Sequence, residues 1–234
     1  MMKEAGCHSV IIGIESVMPE TIQSMDKKIN KVEDYRECIA NIQSAGIKVM
    51  PSFVVGSDTE DETIFEKTAT FIKDNNLVYP MINILTPLPG TKLYTRLENE
   101  GRILHKNWTK YDFESVCFKP KNMSAKTLED GRRWVFREIY SLGNIQKRYD
   151  SFMNKKEVNE VTGFEDAFGK MKMTDKFFMA ILVLKILSKV NTEQRKYFID
   201  VIRNYLKGNE TNFGNSFSLM SFNDYAYNIP LSEN

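Results

Sequence analysis

The sequence predicts an α/β fold followed by a mostly helical second half. Three runs rich in β-branched residues begin near Val10, Ile47 and Met81. Segments with helical periodicity separate these runs, which recur about every 35 residues, as repeated βαβ units do. Parallel strands need such crossover connections, so we expect one parallel sheet with its strands in sequence order. We place this α/β region at residues 1–120 and the helical region at 121–234.

The predicted strands, near residues 10–15, 47–55 and 81–86, are apolar at most positions. Strands that are apolar on both faces are typical of parallel sheets covered by helices on the outside and filled on the inside. Three strands do not close a barrel, and they leave two unpaired edges. We therefore expect further strands or another chain to complete the sheet.

Three helices are predicted between these strands. The first covers 19–25, with proline in its first turn. The second covers 32–45 and ends at Gly46, the residue type that most often terminates a helix in the left-handed conformation. Thr59 and Glu62 have the spacing of a capping box, which predicts Thr59 as the N-cap of a helix that runs to residue 75 or 76.

The second half has a different periodicity. From Ser124 a long amphipathic helix is expected, with one apolar stripe formed by Leu128, Val135, Ile139, Leu142 and Ile145. Two more helices are predicted at 175–190 and 192–206. The first contains FFMAILVLKIL, which is apolar nearly all round and so predicts a buried helix. An irregular tail follows from residue 209.

From the composition we do not expect a nucleic-acid-binding, membrane-spanning or secreted protein. The 234 residues are 42% hydrophobic and 27% charged, with a net charge of +1, which is typical of soluble globular proteins. Such a charge gives no field that would favour nucleic acid or anionic membranes. The start lacks the apolar segment of a signal peptide, and the longest apolar run is far shorter than the roughly 20 residues that span a bilayer. We expect a cytoplasmic protein without a transmembrane segment.

The three cysteines, Cys7, Cys38 and Cys117, have neither CxxC nor CxxxCxxC spacing. Because neither a zinc site nor an iron–sulfur cluster has its usual ligand pattern, reduced thiols are the simpler interpretation. We therefore expect no metal site in this chain and no bound cluster. His8 and His105 are isolated in sequence and predict no catalytic or metal-binding group.

Ligands of parallel α/β proteins bind at the carboxyl ends of the strands. The candidate residues at these ends are Glu15, Ser16, Gly56, Asp58, Glu60, Thr86, Pro87, Pro89 and Gly90. Glu15 could accept hydrogen bonds from the vicinal hydroxyls of a ribose, or it could be satisfied by nearby backbone amides or by the helix that follows. Both interpretations remain open.

The two other strand ends also have alternatives. The carboxylates at 58 and 60–62 could bind a metal, but acidic residues favoured at the start of a helix explain them more simply. Gly56 permits a close backbone approach, either to a ligand or at a turn. The loop TPLPGT, which begins at Thr86, could present carbonyl groups to an adenine or could be an ordinary turn.

Four linked segments resemble one enzyme family. They are GCHSVIIGIES, YRECIANIQSAGIKVMPSFVVGSDTEDETIF, MINILTPLPGTKLYTRLENEGRIL and FKPKNMSAKTLEDGRRWVFREIY. Together they resemble the C-terminal half of radical S-adenosylmethionine enzymes that have a cobalamin-binding domain, over residues 5 to 150. The resemblance implies a partial (β/α)6 barrel, of which the three strands here are the last three, and a C-terminal helical domain.

The same resemblance implies a cofactor site. It assigns ribose contact to Glu15 with Ser16 beside it, adenosine contact to Gly56 and its neighbour Asp58, and adenine contact to Thr86 and Pro87. In the family, a [4Fe–4S] cluster held by CxxxCxxC reduces S-adenosylmethionine to a radical that attacks an unactivated C–H bond. Cobalamin takes part in methylation or rearrangement of that carbon.

The cluster motif and the cobalamin domain are not in this sequence. We therefore expect the chain to bind S-adenosylmethionine weakly and to be inactive without a partner that supplies both. The alternative is a non-catalytic remnant or accessory module that binds a partner chain, or a second copy of itself, through the open sheet edge.

Overall fold

The computed structural model describes residues 1–25, 27, 30–153, 192, 194–197, 199 and 200. Its three strands are β1 (Ser9–Glu15), β2 (Lys48–Val55) and β3 (Met81–Ile84). They form one parallel sheet in the order β1-β2-β3, which confirms the predicted arrangement. Closure into a partial barrel stays a prediction.

The two faces of the sheet differ sharply in burial. One face carries side chains that are at most 4% exposed: Ile14, Val49, Phe53, Val55, Ile82 and Ile84. The other, which we call the open face, carries Ile11, Gly13, Met50, Ser52, Val54, Met81 and Asn83, all half-buried or exposed. The helices among the described residues therefore cover the first face, and Ile11 on the open face is 69% exposed.

The helices after β1 match their predictions closely. Helix α1 covers Pro19–Ser24 and begins at its proline. A 3₁₀ turn over Val32–Asp34 leads into α2 (Tyr35–Ser44). Gly46 follows with a φ of 71°, a conformation that favours glycine and ends the helix.

The predicted capping box of the next helix is wrong. Helix α3 covers Thr63–Asp74 and has Glu62, not Thr59, at its N-cap position. Thr59 Oγ1 instead forms a 2.9 Å hydrogen bond with Thr21 Oγ1 of α1. The reason is tertiary: the buried side chain of Glu60 holds this stretch as a loop, as described below, and α3 starts only after it.

After β3, α4 covers Lys92–Asn99, and Thr91 Oγ1 accepts the Tyr94 N–H at its start. An antiparallel bridge between Ile103 and Phe118 then closes a long loop. Helix α5 (Ala125–Ile139) starts at Ser124, whose hydroxyl accepts the Thr127 N–H at 2.9 Å.

The single long helix expected from Ser124 is wrong. Helix α5 ends at Ile139, and a separate helix, α6, covers Leu142–Met153. Its predicted stripe is nevertheless buried at all five positions, Leu128, Val135, Ile139, Leu142 and Ile145. The apolar period therefore identified the buried side correctly but did not reveal the break. Helix α5 packs against α3 and β3 and so belongs to the core beneath the sheet.

The remaining predictions for the second half fall largely outside the described residues. This holds for the helix at 175–190 with its apolar run, for the tail, and for most of the helix at 192–206; positions 192, 194–197, 199 and 200 are helical. A separate helical domain and its boundary at 120 stay predictions. Among the described helices, none combines the length and the apolar character needed to cross a membrane.

Candidate functional site

The carboxyl ends of the three strands meet at one edge, as predicted. Val55 lies opposite Ile84 in the register, and the Leu85 N–H donates to the Val55 carbonyl at 2.8 Å. Glu15 at the end of β1 lies opposite Phe53 of β2. The structure therefore brings Glu15, Gly56 and Thr86 to the same edge of the sheet.

Glu15 has an unusual backbone conformation. Its φ is 68°, and the register between β1 and β2 shifts between Gly13 and Glu15. The carboxylate turns back over Gly13, so that a Cβ placed on Gly13 would stand 2.6 Å from Glu15 Oε1. The partner of this carboxylate is the ammonium group of Lys27, which is neither of the structural partners weighed from the sequence. Lys27 is 44% exposed, so the pair is accessible to solvent.

Ser16 is buried at 2% exposure. Its hydroxyl donates to Glu60 Oε1 at 2.8 Å and accepts the Met18 N–H at 3.2 Å, just before α1. These bonds connect the end of β1 to the loop after β2. A direct role of Ser16 in cofactor binding stays a prediction.

Gly56 needs to be glycine for two separate reasons. Its φ is 102°, which side-chain-bearing residues rarely adopt. A Cβ at this position would also lie 2.6 Å from Cδ2 of Leu128 in α5. The group that closely approaches Gly56 is therefore a core leucine, and the glycine lets α5 pack under the edge where the strand ends meet.

Glu60 is the residue whose importance sequence reasoning missed. It is 0% exposed, and its Oε2 accepts the backbone N–H groups of Gly56 at 2.9 Å and Ser57 at 3.1 Å. Burial raises the pKa of Glu60, while the hydrogen bonds from Ser16, Gly56, Ser57 and Thr21 oppose that rise. Gly56 begins a turn whose backbone N–H groups need acceptors. The carboxylate four residues later was the feature of the sequence that could have indicated this role.

Asp58 points to a different set of partners. Its carboxylate bonds to Arg102 at 2.6 and 3.1 Å and to Arg96 at 2.7 Å, and Lys121 lies 3.6 Å away. Burial works to raise the pKa of Asp58, but the bonds and charges of Arg102 and Arg96 outweigh it and hold the pKa well below its usual range. Cofactor contact by Asp58 stays a prediction; the observed contacts fasten the loop to α4 and to the Ile103–Phe118 bridge.

The acidic run therefore has three roles rather than one. Asp58 pairs with arginines, Glu60 is turned inward, and Asp61 accepts the Thr63 N–H at 3.0 Å at the start of α3. Among the described residues, no group of three or more His, Cys, Asp or Glu side chains could hold a metal ion. The helix-start interpretation applies to Asp61 and to Glu62, the N-cap residue of α3, and not to Asp58 or Glu60.

Thr86 and Pro87 form a rigid exit from β3. The Thr86 hydroxyl donates to the Ile84 carbonyl at 2.9 Å, Pro87 is buried, and Gly90 follows with a φ of 83°. A turn then leads into α4. The loop has the geometry of an ordinary turn, and adenine contact stays a prediction.

Side chains and a loop satisfy part of both sheet edges, which differs from the two unpaired edges expected. On β3, the Ile84 N–H donates to the Phe113 carbonyl at 2.7 Å, and Arg132 Nε donates to the Ile82 carbonyl at 2.9 Å. On β1, Asn30 Nδ2 donates to the Gly13 carbonyl at 3.1 Å and the Tyr35 hydroxyl to the Ile14 carbonyl at 2.9 Å. Sequence patterns did not indicate these partners, which come from distant segments.

The cysteines differ in environment and do not fit a cluster. Cys38 is exposed, Cys7 is half-buried, and Cys117 is fully buried with its thiol 2.9 Å from the Lys110 carbonyl. Burial raises the pKa of Cys117 to about 11, which disfavours the thiolate that ligates iron.

Comparison with known proteins identifies the family. A family model described as "Domain of unknown function (DUF4070)" matches residues 91–227. The chain is 32% identical over 144 residues to a bacteriochlorophyllide d C-12(1)-methyltransferase of Chlorobaculum tepidum, covering 62% of this chain and 31% of that protein. It is 33% identical over 105 residues to a hopanoid C-2 methylase of Rhodopseudomonas palustris, covering 45% and 20%.

A third relative is an anaerobic magnesium-protoporphyrin IX monomethyl ester cyclase of Cereibacter sphaeroides, 25% identical over 138 residues, with 59% of this chain and 22% of that protein covered. The chain spans about a third or less of the length of these curated relatives. With more than half of its residues matched, the chain belongs to the DUF4070 family, the C-terminal domain of cobalamin-binding radical S-adenosylmethionine enzymes.

Proposed function

We propose that this chain supplies the adenosine-binding edge and the C-terminal region of a radical S-adenosylmethionine enzyme that methylates or rearranges an unactivated carbon with the help of cobalamin. The relatives whose names specify methylation of bacteriochlorophyllide or a hopanoid support this proposal. The cyclase among the relatives supports the wider class of reactions.

The observation that carries the proposal is the conformation of Glu15. A non-glycine residue at φ 68° costs on the order of 1–3 kcal/mol and persists only where its surroundings hold it. At the end of β1 this conformation turns the carboxylate onto the open face, where it can accept two hydrogen bonds from vicinal ribose hydroxyls. Without a ligand, the accessible ammonium of Lys27 occupies the place beside the Glu15 carboxylate where the ribose hydroxyls would bind.

The other predicted contacts divide into two groups under this proposal. Thr86 and Pro87 border the adenine, and Gly56 lets the loop lie close to α5. Ser16 and Asp58 do not contact the ligand under this proposal but position other residues. Ser16 hydrogen-bonds to Glu60, and Asp58 pairs with Arg96 and Arg102. We therefore assign direct ribose contact to Glu15 and a positioning role to Ser16 and Asp58.

When bound, S-adenosylmethionine supplies the adenosyl group from which the family forms its radical. Glu15 would hold its ribose, and the loop from Thr86 would border its base. The three cysteines do not fit a [4Fe–4S] cluster, so we propose that another polypeptide segment provides the cluster and cobalamin sites, and that the chain alone is inactive. A cytoplasmic location also stays a prediction.

Calorimetric titration with 5′-deoxyadenosine and with S-adenosylmethionine at millimolar concentration tests the adenosine edge. We expect weak binding of both ligands, and a loss of at least about tenfold in Glu15→Ala, since hydrogen bonds to a charged group contribute about 1.5–3 kcal/mol. Glu37→Ala, an exposed carboxylate on α2, is the matched control. Tight binding that Glu15→Ala leaves unchanged would place the site elsewhere.

A second candidate function is an accessory module that associates through β1. It is favoured by Ile11, which is 69% exposed on a strand at the edge of the sheet. Such edges promote pairing with another chain. Sedimentation of the wild type and of Ile11→Lys checks this: concentration-dependent association that the lysine removes supports it, and a monomer at all concentrations contradicts self-association.

A further inference from the structure

The open face of the sheet carries a row of polar groups that runs obliquely across all three strands. Asn83 on β3 is the register partner of Val54 and so lies one pair nearer the carboxyl ends than Ser52 does. The Glu15 carboxylate lies over Gly13, and Gly13 is the register partner of Ser52 on β2. From β3, Asn83 Nδ2 donates to Ser52 Oγ at 3.1 Å. The Glu15 carboxylate, the Ser52 hydroxyl and the Asn83 amide therefore follow one another across the open face, just before the carboxyl ends of the strands.

Two groups in this row retain hydrogen-bonding capacity. The Asn83–Ser52 bond uses one amide proton and one hydroxyl lone pair. The hydroxyl proton of Ser52 and the carbonyl oxygen of Asn83 have no other bond among the residues that the structure describes. One donor and one acceptor thus remain side by side on a half-buried surface, where a bound polar group can use both.

The surroundings of this pair are apolar. Ile11, Met50, Val54 and Met81 lie on the same face, and all are half-buried or exposed. Methionine side chains are flexible and polarisable, so they adapt to irregular apolar molecules. The one lysine of this face in β2, Lys48, lies at the opposite end of the strand, opposite Ser9. No other lysine or arginine belongs to the three strands, and Lys27, at the Glu15 end of the row, is already paired with that carboxylate.

We infer that Ser52 and Asn83 are a specificity-determining pair that orients the substrate. They would bind a neutral carbonyl or hydroxyl group of a predominantly apolar, polycyclic molecule, with Met50 and Met81 against its apolar body. Because the pair follows Glu15 in the polar row, the bound group lies beside the ribose and hence near the carbon that reacts. This inference rests on the proposed function.

The alternative is that the bond only fastens β3 to β2. The two possibilities differ in consequence. A structural bond contributes to stability and is indifferent to the ligand's polar group, whereas an orienting pair changes ligand preference. A neutral group is expected rather than an anion, because an anion would require a nearby cation for compensation.

A matched pair of fluorescent probes tests the inference on the full chain. 1-Pyrenemethanol and 1-methylpyrene differ only by a hydroxyl group. After correction for their partition into octanol, we expect the wild type to prefer the alcohol by about three- to tenfold, the equivalent of one net hydrogen bond or slightly more. Ser52→Ala and Asn83→Leu should reduce that preference to about one, and Ser52→Thr, which keeps the hydroxyl, should retain it.

Two controls separate this inference from the proposed function. Glu15→Ala should weaken 5′-deoxyadenosine binding and leave the preference for the alcohol probe unchanged. Ser52→Ala and Asn83→Leu should remove that preference and leave 5′-deoxyadenosine binding unchanged. Thermal unfolding of each variant verifies that it is folded. Equal affinity of the wild type for both probes, or a preference that survives both substitutions, overturns the inference even if 5′-deoxyadenosine binds as proposed.

Discussion

Ser16 and Glu60 are joined by a 2.8 Å hydrogen bond between two buried side chains that are 44 residues apart in sequence. This bond connects the end of β1 to the loop after β2. Through its other oxygen, Glu60 holds the amides of Gly56 and Ser57, so a single carboxylate organises two of the three strand ends.

Replacing Glu60 should destabilise the chain more than replacing the exposed carboxylate of Glu62 does. In Glu60→Gln one of the two acceptor oxygens becomes an amide NH₂, so at least one of the buried donors that Glu60 satisfies loses its acceptor, at about 1–3 kcal/mol. Urea unfolding followed by circular dichroism measures the change. Glu62→Gln, an exposed position two residues later, should stay within about 0.5 kcal/mol of wild type. Equal effects of both substitutions would refute the organising role of Glu60.

Gly56→Ala should be costly through both strain and contact. Its φ of 102° and the 2.6 Å approach to Leu128 Cδ2 together predict a loss of about 2–4 kcal/mol. Gly90→Ala, at φ 83° with no atom within 4 Å of the added Cβ, should lose only about 1 kcal/mol.

The double variant Gly56→Ala/Leu128→Ala isolates the contact from the strain. Removing the leucine side chain frees space for the new methyl group, so we expect the combined loss to be smaller than the sum of the single losses, by about 0.5–3 kcal/mol. Strict additivity in denaturant unfolding would mean that backbone strain alone explains the need for glycine.

Asp58 should make stability depend on acid pH. Its pKa in the folded chain lies below its unfolded value of about 3.9, so its stabilisation is present above that value and declines as pH falls below it. The difference in unfolding free energy between wild type and Asp58→Asn, measured from pH 7 to pH 2.5, should therefore narrow as the pH falls below about 3.9. A difference that stays constant over this range would exclude ionisation of Asp58 as its cause.

Two buried arginines should respond oppositely to replacement by methionine. Arg132, 3% exposed, donates to the Ile82 carbonyl, pairs with Glu114 at 2.9 Å and lies over the Phe136 ring. Arg148, 2% exposed, donates through Nε to the Leu77 carbonyl at 2.7 Å, and its two Nη atoms have no partner among the described residues. Burial lowers the pKa of Arg148 to about 10.

We expect Arg132→Met to lose about 1–3 kcal/mol, because the carbonyl of buried Ile82 loses its donor, while the Glu114 carboxylate, which is 44% exposed, can be solvated by water. Arg148→Met should be nearly neutral or stabilising. Thermal and urea unfolding of both variants compare them directly. A larger loss at Arg148 than at Arg132 would contradict the burial-cost argument.

The strand order and the shared edge of Glu15, Gly56 and Thr86 could be predicted because they follow from local period and from the rule that parallel strands end together. The capping box at Thr59 failed because a buried carboxylate one residue later overrode a local helix signal. The single long helix from Ser124 failed because an apolar stripe continues across a break between two helices packed on the same core.

The sequence by itself determined the parallel sheet, the buried stripe of α5 and α6, and the edge at which the three strands end, since each depends on residues close together along the chain. Only the tertiary structure decided what each polar side chain at that edge does. Ser16 meets Glu60, Asp58 meets Arg96 and Arg102, and Asn83 meets Ser52, with partners 31 to 44 residues apart. Hydrogen bonds and ion pairs act over a few ångströms, so which groups pair depends on how the strands and helices pack, and no local pattern encodes it.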